Sequence, residues 1–199
     1  MNTSTFLPRL IGFRRHSVTL VLLSLSVLRP MQAAELNLAT ATATVEFNLA
    51  TATVEDIHAA FDAGALTSEG LIELCLARIE AYENQGPSLN SLILVNPNAL
   101  AQARQLDAEW MAEGPRSSLH GIPVILKDNH DTFDMPTTGG SVFLEGSMVP
   151  DDAFIVQKLR DAGAIILAKA NLSEFASSAR TTNGFSSLGG QTLNPHDLE

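Results

Sequence analysis

The chain has 199 residues, of which 45% are hydrophobic, and this composition is typical of a globular domain that buries a sizeable core. Its formal net charge of −10 excludes the nucleic-acid-binding proteins that depend on a basic surface. The single cysteine, Cys75, excludes an internal disulfide, and no histidines and cysteines have the spacing of a metal site.

The first 34 residues have the order of charged and apolar residues that is typical of an export signal. Three arginines among the first 15 residues precede an apolar stretch from Val18 to Leu28, and small residues follow it. This stretch of about 11 residues is shorter than the roughly 20 that a membrane-spanning helix needs. We therefore predict a signal peptide over residues 1–34, a periplasmic or secreted product, and no stable membrane anchor.

Residues 35–53 are rich in threonine and alanine and contain the near-repeat Asn37–Thr42 and Asn48–Thr53. Two copies are too few for a repeat architecture. We therefore interpret residues 35–53 as a linker and predict a domain over residues 54–199.

Helical patterns begin directly after the linker. Thr53 and Thr67 are placed to cap two helices, because a threonine hydroxyl accepts a hydrogen bond from the first helical turn. Gly64 is placed to end the first helix. Asn96, which precedes a proline, is placed to cap a third helix that ends at Gly114.

Three short apolar runs predict buried strands at Leu92–Val95, Val124–Leu126 and Ile165–Ala168. Between the last two strands, Asp151 or Asp152 is placed to cap a fourth helix. Helices that alternate with apolar strands predict an α/β fold, in which a mixed β-sheet is covered by helices.

Two signals follow the third strand. The pattern Asn171-Leu172-Ser173-Glu174 is that of a capping box with asparagine as the cap, and it predicts a further short helix. Asn194-Pro195 predicts a turn.

Two of the three lysines, Lys127 and Lys169, each lie at the end of a predicted buried strand, which is an unusual place for a charged side chain. The third, Lys158, lies on an amphipathic helix, where solvent exposure explains it. A lysine at a strand end either takes part in chemistry or extends its amine back to solvent. The residue pattern alone does not choose between Lys127 and Lys169.

Several segments resemble, in the same order, the amidase signature family. The segments are Gly121–Asn129, Thr137–Ser141, Asp152–Ala164, Lys169–Ala176 and Gly190–Pro195. Each is weak evidence alone, but the ordered set is specific, and the resemblance extends over about residues 54–199. It implies the N-terminal portion of the amidase signature fold, incomplete in this chain.

The resemblance also implies a chemistry. In this family a serine nucleophile, a second serine on a cis peptide bond and a lysine form the catalytic set, and the lysine after the Gly-Ile-Pro strand, here Lys127, is the base. The two serines lie in and after a Gly-Gly-Ser-Ser-Gly-Gly loop that follows the Asn-Pro turn, and the 199-residue sequence does not contain that loop. The implied reaction is hydrolysis of a carboxamide C–N bond in a small-molecule amide, without a cofactor or a metal. The substrate-binding residues and the oligomeric state stay open.

A lysine base must lose its proton near neutral pH. The pKa of lysine is ordinarily about 10.4 and must fall to roughly 7–8, a change of about 3–5 kcal/mol. Burial at a strand end acts in that direction. Asp128 would oppose it, but adjacent side chains on a strand point to opposite faces, so we expect Asp128 to point away from Lys127.

Other residues with nucleophilic potential are interpreted as structural. By the resemblance, Ser141 lies in a segment that lines the wall of the site and does not attack the substrate. Ser186 and Ser187 lie near glycines, but in the wrong order and before the Asn-Pro turn. His120 and His130 lack a Gly-x-Ser-x-Gly motif, and we expect surface or strand-end positions for them. Cys75 lies on the apolar face of a predicted helix, where cysteine acts as a small hydrophobic residue.

Two functional interpretations stay open. In the first, the chain belongs to an exported amidase, a carbon–nitrogen hydrolase; a homologue of the transfer-RNA amidotransferases is a less favoured variant, since those proteins work in the cytoplasm. In the second, the chain is a non-catalytic truncated fragment or an interaction module. Under either interpretation we expect the 199-residue chain alone to be inactive, because only the lysine of the catalytic set is present.

Overall fold

The computed structural model describes residues 48–176 and 184–197. The signal peptide predicted at residues 1–34 and most of the predicted linker lie outside the described residues. Within the described ranges, no helix combines the length and the apolar character needed to cross a membrane.

The described part of the chain forms four α-helices and five strands. The helices are α1 (Val54–Asp62), α2 (Ser68–Ile79), α3 (Ala99–Glu113) and α4 (Phe154–Asp161). The strands are β1 (Leu92–Val95), β2 (Pro123–Lys127), β3 (Ile165–Ala170), β4 (Phe185–Ser186) and β5 (Gly190–Gln191). A π-helical segment (Glu80–Asn84) continues α2, and 3₁₀ turns cover Val142–Leu144 and Glu174–Ala176.

The sheet at the centre of the domain is mixed, with the strand order β1-β3-β2. β3 pairs antiparallel with β1 and parallel with β2. Parallel neighbours need a crossover connection, and α4 supplies it between β2 and β3. The predicted α/β class with a mixed sheet and helices is therefore confirmed.

Helices cover both faces of the central strand β3. On one face, Leu167 packs in a buried cluster with Ile72 of α2 and Ala103 of α3. On the other face, Ile166 packs with Val156 of α4. This two-sided burial is why β3 reads as a continuous apolar run without alternation.

The helix starts predicted at the two threonines are confirmed. The Thr53 hydroxyl accepts from the Asp56 N–H at 3.2 Å, and the Asp56 carboxylate accepts from the Thr53 N–H at 2.9 Å, which is a complete capping box. The Thr67 hydroxyl accepts from the Gly70 N–H at 3.0 Å. Asp107 of α3 also caps α2, since its carboxylate accepts from the Ser68 N–H at 2.7 Å.

The predicted cap at Asn96 is formed in part, and the predicted cap at Asp152 is wrong. The Asn96 side-chain oxygen accepts from the Asn98 N–H at 2.8 Å, as a cap would, but helix α3 begins only after Asn98, and the Asn96 amide also donates to the Ile166 carbonyl at 2.8 Å, joining the end of β1 to β3. Helix α4 begins after Ala153 without a side-chain cap, and Asp152 forms an ion pair with Arg160 at 2.9 Å.

The capping box predicted at Asn171–Glu174 is also not formed. Asn171 instead donates to the Gly190 carbonyl at 3.1 Å and accepts from the Ser186 hydroxyl at 2.7 Å, which fastens the β4–β5 hairpin to the end of β3. The predicted turn at Asn194 is confirmed, because the Asp197 N–H donates to the Asn194 carbonyl at 3.1 Å. Because β2 and β3 are parallel neighbours, their carboxyl ends lie side by side, next to the β4–β5 hairpin.

Candidate functional site

Lys127 is the last residue of β2, and its side chain is exposed. It shares one face of β2 with Ile125, which is 48% exposed, whereas the intervening Leu126 is buried. Within the part of the chain that the structure describes, the Lys127 amine has no hydrogen-bond or ion-pair partner. The amine is therefore available at the strand end.

Lys169, on the neighbouring strand β3, has the opposite setting. Its side chain is fully buried, and its Nζ lies 3.3 Å from a carboxylate oxygen of Asp128. Nζ also donates to the Pro136 carbonyl at 3.0 Å and to the Thr137 hydroxyl at 3.2 Å, and it lies 3.5 Å from the Thr132 hydroxyl. Four oxygens thus surround this amine.

The expectation that the two strand-end lysines have similar settings is wrong. The burial predicted for Lys127 falls on Lys169, because β3 is covered on both faces whereas the Lys127 face of β2 is uncovered in the described residues. Burial lowers the pKa of Lys169, and the nearby Asp128 carboxylate opposes that effect. Asp128 points away from Lys127 toward Lys169, as strand alternation predicts.

Asp128 also organises the loop that follows β2, which we call the Thr138–Gly140 loop after its residues Thr138, Gly139 and Gly140. The second carboxylate oxygen of Asp128 accepts from the Thr138 N–H at 3.1 Å, from the Thr138 hydroxyl and from the Gly140 N–H at 3.3 Å. The Asp128 carbonyl accepts from the Gly139 N–H at 3.1 Å. One aspartate therefore fixes three consecutive residues.

Gly140 is required where it lies. Its φ of +78° is in the left-handed region, which a side chain rarely adopts. A β-carbon there would also lie 2.7 Å from the Cβ of Ser186. The loop consequently packs directly against the β4–β5 hairpin.

The Thr138–Gly140 loop in turn holds the segments that follow β3. The Gly139 carbonyl accepts from the Phe175 N–H at 2.9 Å, and the Gly140 carbonyl accepts from the Leu188 N–H at 3.0 Å. Phe175 has a positive φ of 50° and is 59% exposed. The loop thus joins the end of β2 to both neighbouring segments.

Ser141 and Ser186 have structural partners, in agreement with the sequence interpretation. The Ser141 hydroxyl accepts from the Phe143 N–H at 3.4 Å and caps a 3₁₀ turn. The Ser186 hydroxyl donates to Asn171 and accepts from the Gly189 N–H at 2.9 Å. Neither hydroxyl contacts a histidine or a lysine in the described residues.

His120 is fully buried shortly before β2 begins, so of the two expected positions, surface or strand end, the surface position is wrong for it. Its Nε2 donates to the Leu106 carbonyl at 2.9 Å, and its Nδ1 accepts from the Arg116 N–H at 3.2 Å. Both ring nitrogens are occupied by backbone groups, and the ring packs against Trp110. His120 is therefore a core histidine. Its burial could not be predicted from the sequence, because the apolar run that follows it does not show that Trp110 and the Leu106 carbonyl pack against the ring.

Among the described residues, no three histidine, cysteine, aspartate or glutamate side chains are grouped closely enough to hold a metal ion. The exposed Lys127 lies at the end of β2, directly before the aspartate that binds the Thr138–Gly140 loop. The Lys169–Asp128 pair lies directly beneath that loop and supports it.

The lowered pKa of Lys169 predicts a stability that depends on pH. Because its pKa is lower in the folded chain, the unfolded chain holds this proton more strongly, and stability rises with pH from the lowered value up to about 10.4. We expect Lys169→Met to remove this part of the rise, measured as the urea midpoint across that range. Lys158→Met, which removes an exposed lysine, is the matched control and should follow the wild type. Parallel curves for Lys169→Met and wild type would contradict the prediction.

Comparison with known proteins identifies relatives for most of the described domain. The family model described as Amidase matches residues 70–199. A probable amidase of Arabidopsis thaliana is 44% identical over 157 residues, which cover 76% of this chain and 30% of that protein. A glutamyl-tRNA(Gln) amidotransferase subunit of Acidothermus cellulolyticus is 40% identical, over 73% of this chain and 28% of that protein.

Solved structures agree with this result. Native peptide amidase from Stenotrophomonas maltophilia superimposes with a TM-score of 0.72 at 44% identity, over 75% of this chain and 31% of that one. An amidase family protein from Bacillus anthracis gives a TM-score of 0.71 at 41% identity, over 74% and 30% of the two chains. The chain therefore spans about 30% of the length of these relatives.

Proposed function

This chain belongs to the amidase family, and from that premise we propose that it is part of a hydrolase that cleaves carboxamide C–N bonds by a Ser–cis-Ser–Lys mechanism. In this proposal Lys127 is the catalytic base. The serine pair lies in and after the family's Gly-Gly-Ser-Ser-Gly-Gly loop, which the 199-residue sequence does not contain, and the oxyanion hole is built from backbone N–H groups near the nucleophile.

One observation carries the choice of Lys127. A general base must offer a free lone pair to the proton that it accepts. The Lys127 amine has no partner in the described residues, whereas the Lys169 amine is fully buried and enclosed by four oxygens, so a substrate proton has no path to it. Lys158, the third lysine, lies on the surface of α4 beside Asp161. Only Lys127 combines a strand-end position with an available amine.

The proposed reaction has two halves. In the first, neutral Lys127 takes a proton from the nucleophilic serine through the second serine, the serine oxygen bonds to the amide carbon, and the C–N bond breaks as the proton passes to the leaving amine. In the second, neutral Lys127 takes a proton from water by the same route, the water oxygen bonds to the acyl carbon, and the C–O bond to the serine breaks as the proton returns from Lys127 to the serine oxygen, which releases the acid. Lys127 ends each half in the state in which it began the cycle.

The proposed substrate is a small-molecule amide. This proposal is supported by the peptide amidase structure, whose matched region is 44% identical to this chain. The amidotransferase relatives, about 40% identical, support a second candidate in which the released ammonia passes to charged transfer RNA. Turnover of simple amides by a single polypeptide favours the hydrolase. Dependence on a second polypeptide favours the amidotransferase.

The test compares the chain alone with a completed enzyme. In what we call the fused enzyme, residues 48–199, which retain the Thr53 cap, are joined to the part of the Stenotrophomonas maltophilia peptide amidase that follows its matched region. We expect the fused enzyme to release ammonia from peptide amides or from alkyl or aryl amides. We expect the 199-residue chain to give no turnover, since loss of one oxyanion donor alone costs about 3–4 kcal/mol.

The controls are an empty reaction and the fused enzyme with the serines of the Gly-Gly-Ser-Ser-Gly-Gly loop replaced by alanine. Turnover by the 199-residue chain that depends on Lys127 would contradict the proposed need for the serine loop. A folded fused enzyme that hydrolyses none of the amides would contradict the hydrolase proposal.

A further inference from the structure

We propose that Lys169 is a positioning residue, which acts through Asp128 to hold the Thr138–Gly140 loop against the end of the strand that carries Lys127. This inference rests on the proposed function, because the position matters only if Lys127 is the base. Lys169 itself is not proposed to touch the substrate.

The two carboxylate oxygens of Asp128 bind different groups. One carboxylate oxygen faces the Lys169 amine at 3.3 Å, and the other accepts from Thr138 and Gly140 of the loop. Asp128 is 1% exposed, so water does not replace either set of partners. Loss of the lysine would leave a buried carboxylate without its counter-charge, and its hold on the loop would change.

Lys169 also forms hydrogen bonds directly to the segment that leads into the loop. Its amine donates to the Pro136 carbonyl and to the Thr137 hydroxyl, which precede Thr138 in the chain. Lys169 therefore contacts the loop from two sides, through Asp128 and through this segment. A purely apolar residue at position 169 would fill the same space without these directional contacts.

The loop is also connected to Lys127. Asp128 follows Lys127 directly, and its carbonyl accepts from the Gly139 N–H at 3.1 Å, so the loop is bonded to the backbone next to the proposed base. The Gly139 carbonyl accepts from the Phe175 N–H, and the Gly140 carbonyl accepts from the Leu188 N–H. A shift of the loop would therefore move together the backbone next to Lys127 and the two segments bonded to the loop.

The Lys169–Asp128 ion pair is not explained by its contribution to stability. A buried ion pair is often no more stabilising than apolar residues of similar volume, so stability alone does not explain a lysine in the middle of the sheet. β3 is otherwise apolar from Ile165 to Ala168, and an apolar residue at position 169 would suit its burial. A role in fixing one conformation of the loop explains the lysine better.

The experiment on the 199-residue chain measures amide hydrogen exchange in Lys169→Met and in the matched control Lys158→Met. We expect Lys169→Met to lower the protection of the Thr138, Gly139 and Gly140 amides about tenfold relative to wild type, while the Ile165 and Ile166 amides of β3 keep theirs. Lys158→Met should leave both sets unchanged. Unchanged protection of the loop in a folded Lys169→Met variant would overturn the inference.

If Lys169→Met does not fold, Asp128→Asn gives the same information. It preserves the shape of the side chain and removes the charge, so we expect the same loop amides to lose protection. Full protection of the loop in Asp128→Asn would overturn the inference.

The same substitutions in the fused enzyme test the link to the reaction. We expect Lys169→Met to lower kcat about tenfold to a hundredfold with a smaller change in KM, because misplacement acts on the chemical step. Lys158→Met should keep the wild-type kcat. A loosened loop with unchanged kcat would overturn the positioning role. A fused wild type without turnover would instead contradict the proposed function, and the exchange result would then decide the inference by itself.

Discussion

Lys127→Ala in the fused enzyme is expected to remove nearly all turnover, since general-base catalysis contributes about 10²- to 10⁴-fold. The side chain is exposed and has no partner in the described residues, so its truncation leaves no cavity and breaks no contact of this part of the fold. We expect an unchanged circular dichroism spectrum and an unchanged urea midpoint. The measurement is ammonia release at saturating amide.

Two variants sharpen this result. Lys127→Arg is expected to fail as well, because arginine stays charged above pH 12 and cannot accept a proton. Lys169→Ala should lower stability and slow the reaction but keep a measurable rate. If Lys169→Ala abolishes turnover in a folded fused enzyme while Lys127→Ala does not, the assignment of the base to Lys127 is wrong.

Asp128→Ala is expected to give the largest loss of stability in the described domain, about 3–5 kcal/mol, because it leaves the fully buried Lys169 amine without its counter-charge. It also removes the acceptor for the Thr138 and Gly140 N–H groups. The measurement is urea unfolding of the chain, followed by the fluorescence of Trp110, which is the single tryptophan of the sequence.

The matched control is Asp161→Ala, which removes an aspartate from a lysine pair of the same kind on the surface. Asp161 lies 3.7 Å from the Lys158 amine, and both side chains are more than half exposed. Exposed pairs contribute little to stability, so we expect the urea midpoint to match the wild type. Similar midpoints for Asp128→Ala and Asp161→Ala would show that the buried pair contributes no more to the free energy of unfolding than the exposed pair, which would contradict the prediction.

The sequence by itself determined the features that depend on neighbouring residues. Apolar runs marked all three strands of the main sheet, because a strand covered on both faces must be apolar throughout. Thr53 marked the start of α1, since its capping partner Asp56 lies three residues away. The ordered motifs also identified the amidase family, which the family match confirms.

Only the tertiary structure decided the features that depend on residues far apart in the chain. Asn96, Asp152 and Asn171 have the chemistry of helix caps, but each also binds a group far away in the chain, which no local pattern records. The two strand-end lysines look alike in sequence and differ in the fold. Among the described strands, β3 lies between β1 and β2 and buries Lys169 against Asp128, whereas β2 pairs with β3 on one side and leaves Lys127 exposed. Strand order is set by long-range pairing, so no local pattern separates the available amine from the buried one.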